Sequence, residues 1–99
     1  MNAEQLFLVE LTEAIVSAGG TARFPDKGRA ELLARVVLQR LREIGPFAYP
    51  SLLDEDGLRF VYQWDERPPL LTIMLWDDTM WRDMARVPVP HEIDEEINP

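Results

Sequence analysis

Five carboxylates, Asp54, Glu55, Asp56, Asp77 and Asp78, flank one stretch of alternating apolar residues. Oxygen donors gathered in this way could hold a hard divalent cation such as Mg²⁺ or Ca²⁺. The spacing does not match an EF-hand loop. Gly57 follows Asp54-Glu55-Asp56, but Leu52 stands where the first ligand belongs and Gln63 where the closing glutamate belongs. The cluster therefore reads as a solvated turn region that discourages edge pairing, or as a docking patch for a basic partner. No metal site and no cofactor are expected from it.

The other candidates are weaker. His91 is the only histidine, cysteine is absent, and metal chemistry built on nitrogen or sulfur needs more than one such ligand. Followed by Glu92, Asp94, Glu95 and Glu96, His91 reads as a solvent-exposed residue of an acidic tail. Arg59-Phe60-Val61-Tyr62-Gln63-Trp64 invites comparison with RNA-stacking strands. However, the glycine after the basic residue and the small residue between aromatics are missing, and flanking acids repel phosphate. No phosphate-binding glycine loop and no nucleophile elbow occurs. No catalytic residue is assigned.

These residues must be positioned by one small fold. Ninety-nine residues give room for a single domain and one core. The chain is 46% hydrophobic and carries a formal net charge of -8. Such a charge disfavours nucleic acid and anionic membranes and favours a basic protein partner. Residues 1–20 carry -3, residues 21–45 carry +3, residues 46–76 carry -3 and residues 77–99 carry -5, so internal neutralisation is the simplest use of the basic segment. Within it, Glu31 and Arg35 stand at favourable helical spacing, and Arg35 and Arg42 are expected to find acidic partners. Met1-Asn2-Ala3-Glu4-Gln5 lacks the basic start of a secretory signal, and no apolar run reaches the ~20 residues that span a bilayer. A cytoplasmic location is expected. The predominance of arginine over lysine suggests a bacterial or phage source.

Helical spacing of Phe7, Leu11, Ala14, Ile15 and Ala18 predicts a helix over residues 3–18, ended by Gly19-Gly20, with Leu6 exposed. Thr21 to Phe24 could form an edge strand. A second helix over 29–44 is apolar around more than half its circumference, so it is either central to the core or part of an interface. Phe47 and Tyr49, in a proline-flanked loop, are expected to pin that loop to the core. Ser51 could cap a short helical turn through Asp54.

Strands over 58–64 and 70–76 form a hairpin. Pairing Trp64 with Leu70 sets Tyr62 opposite Thr72, Phe60 opposite Met74 and Leu58 opposite Trp76, with Val61, Leu71, Ile73 and Leu75 on the other face. Both faces are apolar and need covers. Residues 77–86 read as a short helix capped by Asp77 or Asp78 with Met80, Trp81, Met84 and Ala85 inward, or else as a third strand, since Arg86-Val87-Pro88-Val89 has edge character. Residues 90–99 form an acidic tail.

The expected architecture is α+β: two helices packed on a small antiparallel sheet built around one hairpin, with a short third helix or edge strand near the C-terminus. The expected function is a small acidic interaction module of the inhibitor, immunity or chaperone type, resting only on an analogy of size and charge. It would occlude a larger basic protein through Asp54, Asp56, Trp76, Asp77, Asp78 and Trp81. A homodimeric structural or assembly protein is the first alternative. A divalent-metal enzyme and a winged-helix DNA binder, drawing on the basic stripe of the second helix, rank below it.

Overall fold

Asn2 opens the first helix with a capping box: its Oδ1 accepts from the Gln5 amide at 2.8 Å while Gln5 Oε1 accepts from the Asn2 amide at 2.9 Å. In the computed structural model, which describes residues 1–98, this helix is α1 (Ala3–Arg23), followed by α2 (Lys27–Ile44) and a 3₁₀ turn (Gly45–Phe47). Four strands come next, β1 (Leu53–Glu55), β2 (Leu58–Gln63), β3 (Leu70–Trp76) and β4 (Trp81–Pro88), and then α3 (His91–Ile97). The sheet has the order β1-β2-β3-β4 with every neighbour antiparallel. The expected α+β architecture is the one found, with both a C-terminal edge strand and a short closing helix.

The helical layer covers one sheet face. Phe7, Leu11 and Ile15 of α1 and Val37 and Leu41 of α2 are fully buried with Leu58, Phe60, Leu71 and Ile73 of the sheet. Each such side chain contributes roughly 1.5–3 kcal/mol by leaving water. Gly20 takes φ 77° and breaks α1 as its Gly-Gly pair predicts, but one further helical turn follows, so Thr21–Arg23 is not an edge strand. Phe24 then turns into the core against Gly19, where a Cβ would collide with its ring. Asp26 caps α2 through its Oδ1 and the Gly28 amide, 2.8 Å apart.

The hairpin register is one residue from the expected one. Gln63 pairs with Leu70, Tyr62 with Leu71, Phe60 with Ile73 and Leu58 with Leu75, while Trp64 lies beyond β2. A slip of one residue turns β3 over. Leu71 and Ile73 therefore face the helices with Phe60, and Thr72, Met74 and Trp76 face away. Because β3 is apolar on both faces, its own pattern does not choose between the registers. The helices do, by accepting branched aliphatic side chains into a closed core.

Residues 77–86 do not form a helix. Asp77 Oδ1 accepts from the amides of Thr79 at 3.0 Å and Met80 at 2.9 Å, and Asp78 takes φ 76°. These are the hydrogen bonds an N-cap would make, used here to close the β3–β4 turn. Met80 and Met84 are consequently about half exposed rather than inward. Met84 sits at a register irregularity, since Ile73 pairs with Ala85 and Met74 with Asp83.

Ser51 caps no helical turn: its Oγ lies 2.9 Å from Asp54 Oδ1, and Asp54 belongs to β1. The acidic tail is helical over His91–Ile97, while Pro99 lies outside the described residues. Phe47 and Tyr49 are not pinned to the core. They are 89% and 93% exposed, because the partly buried Ala48 between them is the residue that packs inward. No helix among the described residues is long and apolar enough to cross a membrane.

Candidate partner-binding surface

Two tight turns share one end of the sheet, hereafter the turn end. Asp56 and Gly57, both at positive φ, make the two-residue β1–β2 connection, and the Trp76 amide donates to Gly57 O at 2.9 Å, tying this turn to the end of β3. Asp-Gly is a strong hairpin signal, and it places β1 although the sequence pattern of β1 itself is too short to read.

This geometry brings Asp54, Asp56, Trp76, Asp77, Asp78 and Trp81 to the same end. It also spends most of the carboxylates on arginine. Asp54 accepts from Arg59 Nε at 2.9 Å and Nη2 at 2.8 Å, and this pairing first, with Ser51 behind it, holds the carboxyl below its ordinary range. Asp56 accepts from Arg29 Nη2 at 2.7 Å, and its backbone oxygen accepts from Arg23 Nε at 3.1 Å. Asp77 pairs with Arg82. Its carboxyl is held well below the usual range by the Thr79 hydroxyl, then the Met80 and Thr79 amides, then Arg82. No ion pair involves Asp78 or Glu55 among the described residues, and no group of three or more His, Cys, Asp or Glu side chains there is arranged to hold a metal ion.

The sheet face turned away from the helices carries the aromatics. Arg59 Cζ lies 4.4 Å from the centre of the Trp81 ring, which tilts against Trp76 at 57° with centroids 5.4 Å apart. The row Ser51, Asp54, Arg59, Trp81, Trp76 thus spans the sheet, each member fixed by the next. Val61 and Met74 remain partly exposed beside it, and within it Trp81 is partly exposed and Trp76 is 40% exposed. Trp81 is thus not inward but lies on this outer face against Arg59. Two self-neutralised pairs, Asp54–Arg59 and Asp83–Arg86, frame the apolar strip.

The opposite end, where β2 loops to β3 and α3 begins, is the loop end. Tyr62 donates to Asp94 Oδ1 at 2.7 Å and accepts from Asn98 Nδ2 at 2.8 Å, clasping α3 to the sheet. Burial first, then Asp94, pushes the Tyr62 phenol upward, so it stays a proton donor. Arg42 joins α2 to Glu4 of α1 and Glu96 of α3, which answers the expected partnering of Arg42; Arg35 makes no ion pair among the described residues. Among the described residues Asp65, Glu66, Glu92 and Asp94 of this end make no ion pair, and His91 Nε2 lies 2.9 Å from Glu95 Oε1. At the turn end, by contrast, Asp54, Asp56 and Asp77 are paired with Arg59, Arg29 and Arg82, and Arg23 donates to the backbone oxygen of Asp56.

The acidic excess therefore sits at the loop end, which summing charge along the chain does not reveal. A shallow groove of about 290 Å³ between α1 and α2 is lined by Leu8, Val9 and Thr12 together with Lys27, Glu31 and Arg35, a mixed-sign surface. Compared with protein-family models, curated proteins and solved structures, the chain shows no match.

Proposed function

We propose that this protein is a small acidic interaction module that docks its uncovered sheet face on a larger basic protein and acts by occlusion, as an inhibitor, immunity or chaperone protein does. The observation that carries this reading is the layering. All three helices pack on one side of the sheet, and Trp76, Trp81, Met74 and Val61 on the other side have no covering element. An apolar strip with aromatic members and framed charge pairs has the composition of a binding core with a polar rim. The net charge of -8 favours a basic partner and raises its rate of encounter. Because Asp54, Asp56 and Asp77 are each held by arginine, they act mainly by fixing the surface, and long-range attraction belongs to the molecule as a whole.

The test is capture from a lysate of the source organism with tagged protein, at low and high salt, alongside Trp76→Ala. The expected result is a stoichiometric basic protein, released by salt and lost with Trp76→Ala while the melting temperature of the bait is kept. Capture insensitive to both salt and Trp76 rejects the reading. The homodimer reading draws on the same uncovered strip. It predicts a dimer by light scattering without any partner, little weakened by salt and dissolved by Trp76→Ala.

A further inference from the structure

The solvent side of the helical layer, on the far side of the molecule from the uncovered sheet face, is not the wholly polar surface that an outer helix face ordinarily presents. Leu32 and Val36 stand one turn apart on α2 and are 63% and 42% exposed, and Val9 of α1 is exposed as well. Leu8 and Val9 line the shallow groove between the two helices, and Glu31 and Arg35 line it from α2. Leu32 and Val36 follow those two by one residue and so occupy the next row of α2, toward solvent. Single exposed apolar residues are ordinary, but these border one groove.

The charges of the groove choose what covers it. Its lining contains Glu13 of α1 and Lys27, Glu31 and Arg35 of α2. None of the four makes an ion pair among the described residues. Two are acidic and two basic, so the groove is balanced in a chain of net charge -8 and offers a basic partner no attraction. The signs are divided between the walls: the α1 wall is acidic and the α2 wall is on balance basic. The helices run antiparallel, since Glu4 meets Arg42 near one end and Glu13 shares the groove with Lys27 toward the other.

A two-fold axis can stack two such layers with aligned helices in two ways. One sets α1 on α1, with acid facing acid. The other sets α1 of each copy on α2 of the other, at the level of its own groove, so that Glu13 faces the α2 segment beginning at Lys27. We propose that this helical face is the interface of a symmetric homodimer of the second kind, with Val9, Leu32 and Val36 closing the seam. Such a dimer turns both uncovered sheet faces outward and doubles the surface assigned above to a basic partner. The interface does not rest on that reading.

Sedimentation velocity over a concentration series tests it, with a dimer expected at about 10 µM. Leu32→Gln with Val36→Gln, both already in water in the single chain, should raise the dissociation constant about tenfold or more and leave the circular dichroism spectrum unchanged. Two charge variants test the packing. Glu13→Lys makes the α1 wall basic, and Lys27→Glu with Arg35→Glu makes the α2 wall acidic. Each alone should be monomeric, because both halves of its interface set like charge on like. Mixed in equal amounts they should form a heterodimer, since the basic α1 wall then meets the acidic α2 wall and the two unaltered walls meet each other.

A monomer at every concentration up to about 1 mM overturns the proposal. So does a dimer that Trp76→Ala dissolves and the Leu32 and Val36 variant spares, because the sheet face is then the interface. A mixture of the charge variants that stays monomeric rejects the α1-on-α2 packing. Failed lysate capture by an intact dimer insensitive to Trp76→Ala supports this interface and rejects only the partner reading.

Discussion

At the residue scale, arginine decides what the carboxylates of the turn end can do. Arg59 grips Asp54 through two nitrogens and lies against the Trp81 ring, a combination that lysine would not reproduce. Asp77 combines a turn with an ion pair, and its depressed ionisation carries a sign. A carboxyl held below its unfolded value adds stability that is fully present above the unfolded value, near pH 4, and is lost as pH falls through the folded one. Asp77→Asn keeps an oxygen acceptor for the turn amides and abolishes the titration. Urea unfolding should show the variant less stable than the parent at neutral pH, with the gap closing below about pH 4. A gap of constant size down to pH 2 would contradict the assignment. The capping-type chemistry of Asp77 is visible in Asp77-Asp78-Thr79, but the same side-chain bonds serve a helix start or a β-turn, so the residue is readable and its element is not.

At the element scale, α3 is the part whose attachment depends on a few contacts. Its seven residues are too short to be helical alone. Ile93 in the core, Arg42 bridging Glu4 and Glu96, and the Tyr62–Asp94–Asn98 clasp hold it. Tyr62→Phe removes a buried donor and leaves Asp94 with Asn98 alone. It should cost about 1–2 kcal/mol in urea unfolding and speed amide exchange in α3 more than in β2 or β3. Uniform exchange across these elements would mean that the clasp does not carry the helix. The expected tail missed this helix because His91–Ile97 shows only Ile93 and Ile97 as apolar anchors, one turn apart. The partner of that pair, the wall formed by Gly45 and Tyr62, lies far away in sequence.

For the whole molecule, one buried cluster joins both long helices, the sheet and α3, so the domain should unfold as a unit. Tryptophan fluorescence, which reports Trp64 and the Trp76–Trp81 pair, and far-ultraviolet circular dichroism should give coincident urea transitions. An earlier fluorescence transition would show the turn end melting separately. The segmental charges foresee neutralisation of the basic helix by acidic neighbours, and the folded chain places those neighbours unequally. Arginines from α1, α2, β2 and β4 converge on the turn end, leaving the loop end acidic.

The sequence by itself determined the two long helices, the central hairpin strands, the antiparallel α+β layering and the net charge. Each of these is written in local periodicity, capping residues or composition. Only tertiary structure decided the register of β3, the outward display of Phe47 and Tyr49, the conversion of residues 81–88 into an edge strand, and the end at which acidic charge survives. The reason is common to all four. Where a segment is apolar on both faces, or where a charge has several partners in reach, its local pattern is satisfied in more than one way. The choice is then made by contacts distant in sequence, through the closed core on one side of the sheet and the arginines converging on its turns.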